Sequence, residues 1–193
     1  MNYLAHAYLS FNYTEILIGN MISDYVKGKH KYDYSPEIQS GIMLHRLIDE
    51  FTDAHEVTKA AKEYFRPKYR LYAGAFIDVA YDHFLATDKE IFPDENTLKE
   101  FSLSVYDRIN PSVDTLPIKF QKMFLHMSKH DWLFHYRFKE GIEKSFEGLK
   151  YRAKYIDETH TAYKLFNEHF VELKMCYETF FPELKTFVKK RLF

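Results

Sequence analysis

Residues 71–86 read LYAGAFIDVAYDHFLA. Leu71, Ala73, Phe76, Ile77, Val79, Ala80, Phe84 and Leu85 cover most faces of a helical wheel, which predicts a helix buried on nearly all sides at the centre of a helical fold. The same helix carries Asp78, Asp82 and His83. An unpaired buried charge costs several kcal/mol, so these groups require a metal, a cation or hydrogen-bond donors.

The pattern outward from this helix is helical throughout. Residues 2–10 read as a short helix. Thr14 offers an N-cap for a second, reaching Gly28 with Ile16, Leu17, Met21, Ile22 and Tyr25 as its apolar stripe. Lys27 to Tyr34 is a polar loop. Ser35 followed by Pro36 is a cap and first-turn signal, opening a helix with Ile38, Ile42, Leu44, Ile48 and Phe51 that ends near His55. Residues 56–65 add a helix that Pro67 stops. Downstream, residues 94–108 carry Leu98, Phe101, Val105 and Tyr106, and Pro111 breaks the pattern. Thr115 can cap a helix running to Ser128 with Pro117 near its start. Trp132, Leu133 and Tyr136 lead into a helix from Lys139 to Arg152, and two more run from Thr159 to Phe180 and from Pro182 onward. No Asn-Gly or Asp-Gly hairpin signal, alternating strand run, repeat or Gly/Ser linker occurs. The expected architecture is all-α, one compact helical domain over 1–193, with Phe180, Phe181, Phe187 and Phe193 in the core or at a dimer contact.

Composition narrows the function classes. With 46% hydrophobic residues, 18% aromatics and a net charge of -1, the chain can build a core and is not disordered. Its one cysteine, Cys176, has no partner for an intramolecular disulfide, which makes the cytoplasm the default compartment. No segment approaches the ~18 apolar residues of a membrane span, and the start lacks the basic region and apolar core of a secretion signal. Near-neutral charge gives no general attraction to nucleic acid, and neither nucleic acid nor membrane is an expected partner. Two basic clusters stand out: Lys59, Lys62, Arg66, Lys68 and Arg70, and Lys185, Lys189, Lys190 and Arg191. Each reads first as a solvated helix face.

The chemistry is carried by spacing. Asn2 and His6, Asn20 and Asp24, His45 and Asp49, and Asp78 and Asp82 are each four residues apart within an expected helix, so each pair projects from one face. Imidazoles and carboxylates aimed at a shared centre form a mixed nitrogen and oxygen set suited to Mn(II), Fe(II) or Zn(II). Arg46 points about 100° away from His45 around its helix, placing it to reach a substrate phosphate beside a metal. His55, His126, His130, His135, His160 and His169 lack an acidic partner in an apolar frame and are assigned to core or surface.

Several motifs occur in one order across nearly the whole chain: NYLAHAYLS at 2–10, GNMISDYVKG at 19–28, GIMLHRLIDEFTDAH at 41–55, DVAYDHFLA at 78–86, DWLFHYR at 131–137 and FFPEL at 180–184. Together they resemble the acyl carrier protein phosphodiesterases. The resemblance implies a divergent, HD-like helical bundle related to the HD phosphohydrolases. It implies an enzyme that removes the 4'-phosphopantetheine arm from holo acyl carrier protein, with Mn(II) as the usual metal. It further implies that His6, Asp24, His45, Asp49, Asp78, Asp82 and His83 lie near the active site. The ordinary His-Asp dipeptide is absent and Asp82–His83 stands reversed.

The expected metal set is therefore His45, Asp82, His83 and Asp24. Asp49 or Asp78 is expected to orient the attacking water, and His6 or Arg46 to serve the departing serine oxygen. Arg46, Lys62 and Arg66 are the expected substrate contacts, with the Lys59 to Arg70 cluster as the dock for an acidic carrier protein. Two other readings share parts of this pattern: an HD-type phosphohydrolase acting on a small nucleotide or phosphomonoester, and a non-catalytic helical binding module.

Overall fold

The computed structural model describes residues 1–153 and 155–192, without the side chain of Arg152. Among them the secondary structure is helical, with no strand. In chain order the helices are α1 (Tyr3–Tyr8), α2 (Thr14–Ile22), α3 (Pro36–Ala54), α4 (Glu56–Glu63), α5 (Arg66–Tyr69) and α6 (Ala73–Ala86). There follow α7 (Glu95–Ile109), α8 (Ile118–Lys129), α9 (Trp132–His135), α10 (Lys139–Arg152), α11 (His160–Glu168) and α12 (Phe170–Leu192). Short 3-10 turns cover Ser23–Tyr25, Gly28–Asp33, Arg70–Tyr72 and Asn110–Thr115. Among the described residues no helix is long and apolar enough to cross a membrane.

Helix α6 is the centre of a single all-α domain, packed by α1, α4, α10 and α12. Phe76, Ile77, Val79, Ala80, Tyr81, Phe84 and Leu85 are all 0–1% exposed, as the apolar wheel requires. Only Leu71, at its upstream margin, is out in solvent at 99%.

Caps fix several boundaries. Ser35 Oγ accepts from Ile38 N at 3.3 Å, and Asp94 Oδ1 accepts from Thr97 N at 2.8 Å. Other boundaries differ from the sequence reading. The second helix stops at Ile22, where the chain tightens into the 3-10 turn Ser23–Tyr25, and Thr14 is its first residue without a side-chain cap bond. The Lys27 to Tyr34 loop winds into a 3-10 turn, and Thr115 closes another rather than capping α8. Pro67 begins the short α5 instead of only ending α4. The final break falls at His169, and α12 continues straight through Pro182. Phe180, Phe181, Leu184 and Val188 are buried on either side of that proline, so burial outweighs the ~3 kcal/mol helix penalty of proline. Phe187 packs against the core, while Phe193 lies outside the described residues.

Helices α2 and α3 meet backbone to backbone. A Cβ on Gly19 would strike the carbonyl oxygen of Ile38, and one on Gly41 would strike that of Ile16. Glycine is required at both positions for this approach. The crossing sets Asn20, next to Gly19, against His45, one turn beyond Gly41.

Candidate active site

Four chain segments converge on two imidazoles. Helix α1 supplies His6, α2 supplies Asn20, the turn Ser23–Tyr25 supplies Asp24, and α3 supplies His45 and Asp49. The His6 and His45 rings stack with centroids 3.9 Å apart and planes 12° from parallel, and the residues are 2% and 7% exposed.

Asn20 sets the proton positions on both rings. Its Nδ2 donates to the His6 carbonyl at 2.8 Å and to Ser10 Oγ at 3.2 Å, which leaves its Oδ1 as an acceptor facing His6 Nδ1 at 2.8 Å. Its backbone carbonyl, which can only accept, lies 2.7 Å from His45 Nδ1. Both Nδ1 atoms therefore carry hydrogen, and the Nε2 atoms are the ones available to a ligand.

Those two Nε2 atoms are buried and have no hydrogen-bond partner among the described residues. Asp49 Oδ1 stands 3.3 Å from His6 Nε2, and Asp49 Oδ2 and Asp24 Oδ1 stand 3.1 and 3.3 Å from His45 Nε2. These are ion-pair distances without hydrogen-bond direction. Among the described residues, His6, His45 and Asp49 form a group whose ligand atoms all lie within 4.8 Å of one another. Two imidazole nitrogens with one carboxylate, and a second carboxylate beside them, fit a divalent first-row metal.

The electrostatics match a site for positive charge. Burial and the neighbouring His45 pull His6 down to about 4. Burial also works against charge on His45, but the Asp24 and Asp49 carboxylates outweigh it and push that imidazole up to about 9. Burial raises Asp49 in turn, and the two histidines together with the Met1 ammonium overcome it, holding the carboxyl well below the usual range. Burial thus disfavours charge on His6, while the two carboxylates favour it on His45. The Met1 ammonium lies 3.3 Å from Asp49 Oδ1 and 3.1 Å from Asp78 Oδ1.

The expected metal set was His45, Asp82, His83 and Asp24, and the structure gathers a different group. His45 and Asp24 are at the centre, the latter with a side chain 68% exposed. Asp82 is 0% exposed, and its Oδ2 and Oδ1 accept from Leu4 N at 2.7 Å and Ala5 N at 3.2 Å. It is satisfied as the cap of the open N-terminus of α1, a partner that burial alone could not name. Burial pushes its carboxyl up to about 7 against those two N–H donors. His83, one residue on and about 100° around the helix, turns away from the centre. Its Nδ1 donates to the Tyr136 carbonyl at 2.7 Å, its ring packs against Phe84, Phe166 and Phe170, and burial keeps its pKa low.

The remaining expectations fall around the rim. His6, expected with Arg46 to serve the departing serine oxygen, lies instead in the group with His45 and Asp49. Asp78 pairs with the Met1 ammonium and borders a groove of about 630 Å³ shared with Lys62, Arg66 and Arg70. Lys62 Nζ is held by Asp53 at 2.6 Å and Arg66 Nε by Glu63 at 3.0 Å. Arg46 is exposed and donates from Nη2 to the Val26 carbonyl at 3.3 Å rather than to Asp49 or Glu50. The sequence showed Asn20 only as a neighbour of Asp24 in spacing. Its adjacency to Gly19, in a helix facing Gly41, was the available sign of a close crossing.

Comparison with known proteins gives one consistent result. A family model described as acyl carrier protein phosphodiesterase matches residues 1–184. An acyl carrier protein phosphodiesterase of Yersinia pestis is 30% identical over 184 residues, covering 95% of either chain. One from Klebsiella pneumoniae (strain 342) is likewise 30% identical over 184 residues, and one from Enterobacter sp. (strain 638) is 29% identical over 191, covering 99% of either chain. No solved structure matches significantly.

Proposed function

The chain belongs to the acyl carrier protein phosphodiesterase family, and from that membership we propose that it hydrolyses the phosphodiester joining 4'-phosphopantetheine to a serine of holo acyl carrier protein. Water adds to phosphorus, the bond from phosphorus to the serine oxygen breaks, and the products are apo carrier protein and 4'-phosphopantetheine. The observation that carries the reading is the pair of buried Nε2 atoms of His6 and His45, unpartnered among the described residues and converging on Asp49.

In this reading His6, His45 and Asp49 hold a divalent ion, Mn(II) by analogy with the family. A bound ion of that kind polarises a phosphoryl oxygen and lowers the pKa of water from ~15.7 toward ~7. The chain's own groups do the rest. Asn20 keeps both imidazoles in the ligand-ready tautomer. Asp24, open to solvent and 3.3 Å from His45 Nε2, is placed to orient the attacking water and take its proton. Arg46, exposed one residue from His45, neutralises phosphate charge as it builds. Asp78, held against the Met1 ammonium, borders the basic groove. Lys62, Arg66 and Arg70 line that groove and offer the acidic carrier protein a surface beside the reacting bond. Cys176, the single cysteine, is compatible with the reducing cytoplasm as the working compartment.

The test is the intact mass of holo acyl carrier protein after incubation with the protein, with Mn(II) and with chelator. Loss of the whole phosphopantetheine arm only with metal is the expected result. No mass change with metal bound would redirect the site to a small phosphoester, and no change without metal binding would favour a binding module.

A further inference from the structure

A second cavity, of about 1100 Å³, shares no lining residue with the basic groove. Its near wall is built from the segments that carry the site. Asn2 precedes His6 by one helical turn, with His6 N donating to the Asn2 carbonyl at 3.3 Å, and Tyr25 directly follows Asp24. Its far wall is Trp132 and Tyr136 around α9 and Gly148 on α10. Asn2 Nδ2 donates to Tyr136 Oη at 2.9 Å and ties the two walls together.

The two glycines of α10 differ in what surrounds them. A Cβ at Gly141 would strike the His135 carbonyl oxygen, so packing explains that residue. A Cβ at Gly148 would meet nothing within 4 Å. Glycine in a helix costs ~1 kcal/mol relative to alanine, and no neighbour among the described residues requires it here. The volume points to a ligand, because ligand pockets span ~300–1,000 Å³ and this cavity exceeds what a phosphate group fills.

We propose that this cavity receives the pantetheine portion of the substrate, an inference that rests on the phosphodiesterase reading. The arm is a long, uncharged chain with two amides and a geminal dimethyl group. Aromatic walls accept its apolar segments, and polar side chains such as Asn2 accept its amides. Threaded from the centre past Asn2 and Tyr25, the arm places its phosphate at His6, His45 and Asp49 and leaves the carrier protein on the basic groove.

Trp132 is the single tryptophan of the chain, so its fluorescence reports on the cavity without a label. Titration with 4'-phosphopantetheine and with pantetheine is expected to give a saturable change in Trp132 emission. Gly148→Phe, which fills the opening, is expected to abolish that change and to raise KM for holo carrier protein at least tenfold, with metal affinity retained. Gly148→Ala is expected to melt at the same or a higher temperature and to weaken the Trp132 response, falling between wild type and Gly148→Phe. A flat titration of the wild type, or a folded Gly148→Phe with unchanged KM, overturns the assignment even if the arm is cleaved. A saturable response from a protein that leaves holo carrier protein intact keeps the cavity assignment and overturns the phosphodiesterase reading instead.

Discussion

Replacing Asn20 by alanine tests the centre most directly. The Asn20 side chain is fully buried and makes three hydrogen bonds, accepting from His6 Nδ1 and donating to the His6 carbonyl and Ser10 Oγ. Ser10 Oγ also donates to the His6 carbonyl at 2.8 Å, so those two groups keep each other as partners in the variant. His6 Nδ1 does not, and an orphaned buried donor costs ~1–3 kcal/mol. With the small void left behind, Asn20→Ala should lose ~2–4 kcal/mol of stability. Removing the group that orients a metal-ligating histidine typically costs 10–100-fold in affinity, or about 1.4–2.7 kcal/mol. The assay is calorimetric Mn(II) or Zn(II) titration paired with 15N NMR of the imidazole rings. Wild-type His6 should show hydrogen on Nδ1, and the variant a mixture of tautomers. His45 serves as the internal control, because its Nδ1 bonds to the Asn20 backbone carbonyl, which the substitution leaves in place. A folded variant with affinity within twofold of wild type and an unchanged His6 tautomer would refute the argument.

Gly41→Ala should destabilise by at least the ~1–3 kcal/mol of overpacking and weaken metal binding, since the added Cβ meets backbone of α2 that cannot yield; unfolding in urea that coincides with wild type would contradict this. His83→Ala should cost ~2–4 kcal/mol in the same denaturation assay while metal stoichiometry stays unchanged, and loss of the metal would return His83 to the centre. Arg66→Glu should raise KM for holo carrier protein and flatten its salt dependence, and a wild-type KM at low salt would leave that surface merely solvated. Glu158 supplies a pH signature. Burial opposes its charge, but Thr161 and Lys68 outweigh that and hold the carboxyl at about 2, below its ordinary 4.5. Its contribution is present above pH 4.5 and is lost as pH falls toward 2, amounting to no more than about 1 kcal/mol after solvent screening. Glu158→Gln should flatten the stability profile in that window, and an unaltered profile would remove Glu158 as its source.

Helical class, the central position of α6 and most helix boundaries were legible because apolar periodicity and caps act locally. The four-residue spacing of His45 and Asp49 likewise guarantees a shared helix face, and the structure uses that pair together. Asp82 and His83 show where local reading stops. Their apolar setting states correctly that each needs a partner, but the partner is a long-range fact. Asp82 finds two N–H groups at the start of α1, and His83 finds the Tyr136 carbonyl. Pro182 is the converse case, in which a strong local signal yields to the burial of Phe180, Phe181 and Leu184. The cavity between Asn2 and Gly148 has no local signature, since its walls come from segments separated by most of the chain.

The residues around the centre form one linked support, which bears on how function should be assigned to them. Asp82 on α6 holds the first turn of α1, α1 presents His6, Asn20 on α2 fixes both imidazoles, and the Gly19–Gly41 crossing brings His45 to Asn20. Breaking any link displaces an Nε2 atom, and a misplacement on the order of 1 Å can cost about 100-fold in rate. Loss of activity in an alanine variant of Asp82, Asn20 or Gly41 would therefore look the same as loss of a ligand. Metal affinity and imidazole tautomer separate the cases. An orienting residue leaves His6, His45 and Asp49 in place to bind more weakly, whereas a true ligand removes a donor from the set.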